Sequence, residues 1–171
     1  MYLTFALPLS LGYESEYECM DFRLTKEIDF VQVCTILRQN MPEGFTVTKV
    51  ASPIAKPAEI YAADYEIVIT SPNNANQLTS AWSQFWTSDS IEVTKRTKRG
   101  EKTVDIKPDI ALLSLDEVAD KLVLKMRFPA GAEKSYNPSL LLDALSDKTE
   151  ILMNYTVIRK TILKSDGSLF E

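Results

Sequence analysis

The sequence predicts an α+β fold in which an extended antiparallel sheet carries helices on one side. Two stretches, residues 30–40 and the one that follows the turn at 71–74, place apolar residues at helical spacing. Several others alternate apolar with polar or run β-branched, as strands do. The two kinds are interleaved along 171 residues, of which 45% are apolar and 25% charged. Those proportions suit an ordinary globular chain long enough to bury one core.

Taken in order, residues 2–7 and 17–24 read as strands on either side of Pro8, Gly12 and a string of acids. Neither face of the second is uniformly apolar. Asp29 is placed to cap a helix over residues 30–40, because its carboxylate can accept the orphan N–H groups of the first turn. Phe30, Val33, Cys34 and Leu37 form that helix's apolar stripe, and Pro42 and Gly44 end it. Residues 45–50 alternate apolar with threonine or lysine and predict a half-exposed strand. Pro53 and Pro57 stiffen the next connection.

Residues 65–70, a β-branched run after Tyr65 with Glu66 interrupting it, predict a central strand. The turn 71–74 opens the next helix, with Leu78, Trp82 and Phe85 on one face and Trp86 adjacent. Residues 90–94 read as a further strand. From residue 17 the order is strand, helix, strand, strand, helix, strand, which is the split βαβ arrangement of ferredoxin-like folds.

The second half partly repeats that order, with strands over 103–106, 110–115, 122–128 and 151–163. A helix over 138–145 has Asn137 as its cap and Pro138 at its first position, where a missing N–H costs nothing. Leu152, Asn154, Thr156 and Ile158 would share one face of the long last strand. The expected organisation is a single α+β domain over 1–171, with two ferredoxin-like halves, about 1–96 and 97–171, as the alternative.

Charge and residue types narrow the chemistry. The net charge of −5 argues against wholesale nucleic-acid binding. Histidine is absent, which removes the commonest general base and zinc ligand. Cys19 and Cys34 are too few and too far apart in sequence to hold an iron–sulfur cluster. No cofactor, metal site or catalytic residue is expected. No apolar run approaches a membrane span, and Met1 leads into strand-like sequence without a leader pattern, so the expected location is cytoplasmic.

Several segments resemble a family of bacterial proteins linked to radical S-adenosylmethionine (radical SAM) enzymes, the DUF2344 family. The opening Leu-Thr-Phe-Ala-Leu-Pro stretch from Leu3 is similar to the start of its core. Met41-Pro42-Glu43-Gly44-Phe45 resembles its Leu-Pro-x-Gly turn, and Ala63-Asp64-Tyr65-Glu66-Ile67 the start of its central strand. Residues 98–108 resemble its basic loop and Asp-Ile-basic-Pro element. Tyr136-Asn137-Pro138-Ser139 stands where members carry an Arg-Pro pair, and the arginine is missing here. Members begin earlier, with a Ser-His-Leu-Asp segment that this sequence lacks. The resemblance implies an accessory role beside a radical SAM protein, to which members are fused or beside which they are encoded.

Four groups are candidate sites. Lys95, Arg96, Lys98, Arg99, Lys102 and Lys107 form the concentrated basic patch, +4 within 95–107 against −9 elsewhere. Such a loop could grip RNA phosphates, although a solvated hairpin tip is the simpler expectation. Glu14, Glu16, Glu18 and Asp21, with Tyr13 and Tyr17, could serve acid–base or cation chemistry, or could mark a wet strand face. Asp105 and Asp109 flank Lys107-Pro108. An aspartate in a basic setting suggests an RNA-modifying enzyme built like pseudouridine synthases, whereas a turn cap is the plainer role. Trp82, Phe85 and Trp86 could stack bases, but their helical spacing predicts core. Cys34 is expected as a small buried hydrophobe.

The preferred reading is a non-catalytic accessory or substrate-presenting domain that works with a radical SAM enzyme and holds RNA or a protein substrate. The alternatives are the RNA-modifying enzyme and an oligomerising module that offers its last strand as a sheet edge.

Overall fold

The computed structural model describes residues 3–72, 75–97 and 100–171, without the side chains of residues 75, 76, 96 and 97. Its centre is β4 (Ile60–Thr70), the longest β-branched and aromatic stretch of the first hundred residues. Tyr65, Ile67 and Ile69 point to one face at the strand period of two and are buried there. β8 (Lys121–Pro129) lies antiparallel beside it and buries Leu122, Leu124, Met126 and Phe128 on the same side.

β7 (Ala111–Val118) pairs with β8 on its other side, and β9 (Asn154–Lys164) pairs antiparallel with β4. The five-stranded sheet has the order β2-β9-β4-β8-β7, where β2 is the two-residue Glu14–Ser15.

Two helices cover the buried face. α2 (Ala75–Trp86) contributes Leu78, Trp82 and Phe85, and α3 (Pro138–Thr149) contributes Leu141, Leu142 and Leu145 to the same core. Trp82 stacks on Trp86 with ring centroids 5.4 Å apart, so these aromatics are packing groups and not an open base platform. Asn137 caps α3 by accepting from the Ser139 N–H at 2.9 Å, with Pro138 in the first turn as expected. Between α2 and β7 a hairpin is inserted, β5 (Glu92–Thr97) with β6 (Gly100–Asp105).

The chain is therefore α+β with a ferredoxin-like split βαβ unit, at a different place from that expected. Strand, helix, strand, strand, helix, strand is fulfilled by β4, α2, β7, β8, α3 and β9. That unit runs from residue 60 to 164 and crosses the boundary near 96 that would separate two halves. The unit expected over 17–94 is not formed, because residues 45–50 join no strand and β5 pairs with β6 instead of entering the main sheet.

Residues 3–59 precede this unit. β1 (Leu3–Phe5) and β3 (Met20–Phe22) make a separate two-stranded ribbon, shorter than the strands read from sequence. α1 (Phe30–Asn40) has the expected limits and cap, Asp29 accepting from the Val31 N–H at 2.8 Å. Its apolar stripe is not buried as expected: Val33 is covered, Cys34 and Leu37 are half-covered, and Phe30 is exposed. Arg38 fastens the extended segment after α1 through the carbonyls of Val47 and Thr48, at 2.7 and 3.1 Å.

The last strand is not a free edge. β2 runs parallel to it at Ile158 and Arg159, and the C-terminal turn returns to it through the Phe170 N–H on the Ile162 carbonyl at 2.9 Å. Edge-strand assembly through β9 is thus blocked over its middle and C-terminal part. No helix among the described residues is long and apolar enough to cross a membrane.

Candidate functional site

The basic hairpin was the strongest charge signal, and its lysines divide by their partners. Lys95 lies opposite Lys102, on the face that holds Val93 and Val104 nearer the base. The Lys95 ammonium donates to the Ser135 carbonyl at 2.7 Å and sits 5.2 Å over the Tyr136 ring. Lys107 donates to the Trp86 carbonyl at 2.6 Å and to that of Ser88. Those are orphan carbonyls at the end of α2, where the helix dipole is negative and an ammonium is stabilising. Lys102 points to solvent. Lys98 and Arg99 lie outside the described residues, as does the Arg96 side chain. Lys95 and Lys107 thus tie the hairpin and the turn after it to carbonyls of the chain.

Asp105 closes the base of the hairpin. Its Oδ1 accepts from the Ile91 N–H at 2.8 Å and from the Lys107 N–H at 3.1 Å, so it serves as a turn cap. Asp109 accepts from Lys134 at 2.6 Å and from the Tyr136 hydroxyl at 3.0 Å. The Lys134 ammonium holds the Asp109 carboxyl below the usual carboxylate range. Partial burial, and then the bond to Asp109, push the Tyr136 phenol up. Asp109 thereby pins the loop between β8 and α3.

The acidic opening segment is a strap over β9, which the sequence had not indicated. Parallel pairing of β2 with β9 brings Glu16 to Lys160 at 2.5 Å and Glu18 to Arg159 at 2.8 Å. Arg159 is a buried cation, 2% exposed on the covered side of the sheet. It also donates to the carbonyls of Leu7 at 2.7 Å and Pro8 at 3.0 Å, and packs over the Tyr65 ring.

Arg159 reaches that side by the ordinary strand period, two residues on from buried Val157 and opposite Tyr65, and a bulge follows it. Tyr65 pairs with Arg159 and Asp64 with Thr161, so Lys160 is the extra residue and the alternation resets around it. Farther along the strap, Tyr13 donates to Asn137 Oδ1 at 2.5 Å, and burial pushes its phenol up to about 12.

The Cys19 thiol offers little reactivity. Burial, reinforced by Glu18, Asp21 and Glu171, pushes the Cys19 thiol up, away from the thiolate that nucleophilic chemistry needs. Among the described residues no group of three His, Cys, Asp or Glu side chains is placed to hold a metal ion.

Several large apolar side chains are accessible. On α1 and the segment after it, Val31 is 74% exposed, Ile36 52%, Phe45 65% and Ile54 81%. Val31 and Ile36 lie off the apolar stripe read from the sequence, and a stripe shows only that a face is apolar, not what covers it.

Residues 1–138 match the model of DUF2344, described as an uncharacterized protein conserved in bacteria, and the chain belongs to that family. No curated protein and no solved structure matches the chain.

Proposed function

We propose that this member of the family is an accessory domain that docks onto a radical SAM enzyme and presents a protein substrate to it, without chemistry of its own. The observation that carries the reading is the exposed apolar surface of α1 and residues 45–54. Large exposed apolar patches on soluble chains commonly mark protein interfaces. The RNA version has less support, since Lys95 and Lys107 spend their ammonium groups on carbonyls of their own chain. The enzyme version has less still, since Asp105 already accepts two backbone N–H groups.

The test is sedimentation velocity of the purified chain mixed with the radical SAM protein that family members accompany. A complex that forms with the native chain and is lost in Val31→Glu and Ile36→Glu, both folded, is the expected result. No complex, or one that both variants form equally well, would overturn the reading. RNA binding that weakens with salt by a log–log slope of about −0.7 per phosphate contacted, and that flattens in Lys102→Glu, would favour the RNA version instead.

A further inference from the structure

α2 and α3 do not close against each other along their outer surface. Gln77, Ser80, Ala81, Gln84 and Phe85 recur three and four apart and so line one face of α2. Facing them are Lys148, Thr149 and Ile151 at the end of α3. The small side chains Ser80 and Ala81 leave a trough of about 600 Å³ with Phe85 and Ile151 as its floor. Beyond Lys148 it continues as a second depression of about 410 Å³, which Ala144, Ser90, Glu92 and Asp147 help to line.

Lys148 crosses between the two parts. Its ammonium donates to Ser88 Oγ at 2.6 Å and lies 5.8 Å over the Phe85 ring. Among the described residues it has no carboxylate partner. Glu92 and Asp147, in the second depression, have no cation partner among them either. One part of the trough therefore has neutral amides and hydroxyls beside a cation, and the other has two carboxylates.

We infer that this trough binds an extended peptide with an acidic side chain near Lys148 and a basic one near Glu92 and Asp147. Three features select a peptide. The trough is elongated: Gln77 to Phe85 spans about 12 Å at the helical rise, the length of about four extended residues. Its lining mixes apolar floor with Gln77, Gln84 and Thr149, which can both donate to and accept from backbone amides. Its charges change sign along its length, which a single small anion would leave half unmatched. The inference rests on the substrate-presenting role proposed above and supplies that role with a site separate from α1.

The test uses an acetylated, amidated hexapeptide with one glutamate and, three positions on, one lysine, titrated into the labelled chain by NMR. Shifts are expected at Gln77, Gln84, Lys148, Thr149 and residues 90–92. Binding should weaken about tenfold or more in Lys148→Glu, in the groove-filling Ala81→Phe, and for a peptide with lysine in place of its glutamate. No shifts at millimolar peptide, shifts that persist in both variants, or shifts located on α1 would each overturn the inference. Loss of peptide binding while the complex with the radical SAM protein still sediments would remove the groove alone. The converse would remove the docking role alone.

Discussion

α1 and α2 are helices of 11 and 12 residues with apolar residues at the same spacing, yet they end in different surroundings. On α2 the stripe Leu78, Trp82, Phe85 is buried against the sheet, whereas on α1 only Val33 is fully covered. The contrast extends to the chain on the C-terminal side of each helix. After α2 come β5 and β6, then β7 and β8, each paired, but after α1 residues 45–54 run unpaired with Phe45 and Ile54 outward. Apolar periodicity thus reports a face that needs covering. For residues 60–164 the cover is on the same chain, and for α1 the account assigns it to a partner.

The largest separation between the regions should appear on truncating their apolar groups. Trp82→Ala removes a side chain 1% exposed and should cost about 3–5 kcal/mol in urea unfolding. Val31→Ala on α1 should change stability by no more than about 0.5 kcal/mol, as exposed sites do. Equal losses would mean that α1 is packed as firmly as α2.

A second, smaller effect concerns the join between the regions. Arg159→Met keeps the apolar stem but leaves the Leu7 and Pro8 carbonyls and the Glu18 carboxylate without their donor. A cost of about 2–3 kcal/mol is expected, since hydrogen bonds to charged groups are each worth about 1.5–3 and Glu18 can rehydrate. Proteolysis within residues 6–18 should accelerate in this variant. Unchanged cleavage would show that the strap is held by other contacts.

Asp105→Ala should cost about 1–2 kcal/mol, because two backbone N–H groups lose their acceptor. Its signature is faster amide exchange at Ile91 and Lys107. Catalytic loss with no change in exchange would return Asp105 to the enzyme reading.

The smallest effect is the pH dependence of the Asp109 tie. Its carboxyl is lowered in the folded state, chiefly by Lys134. Its contribution is therefore present above the ordinary carboxylate range and is lost as pH falls through the lowered value, below about pH 4. Asp109→Asn should be slightly less stable than the native chain at neutral pH, and the difference should shrink on acidification. A difference that grows in acid would reverse the assigned sign.

The legible parts of the sequence were those where local pattern and tertiary environment agree. The limits of α1, the caps Asp29 and Asn137, and the buried face of α2 depend on residues within a few positions of each other. Strand partners are not local, which is why residues 45–50 read as a strand and β5 was assigned to the main sheet. Half-exposed alternation looks the same in an edge strand, a hairpin and an extended linker.

Arg159 was missed for a related reason. A lone arginine in a β-branched strand reads as an outward residue, although Arg159 shares the buried side of Val157 by the strand period of two. The acids of the strap were visible, and their pairing with β9 was not. The basic loop was legible as charge, but the ties of Lys95 and Lys107 were not, because donation to backbone carbonyls leaves no mark in composition.

Amide hydrogen exchange on the free chain tests the central contrast most directly. The account predicts that β4, β8 and α2 amides exchange only by global unfolding, with rates that fall in step with overall stability in urea. It predicts that α1 amides exchange through local opening, far faster and nearly independent of urea. Protection of α1 equal to that of β4, with the same urea dependence, would contradict the account, because α1 would then have its partner within this chain.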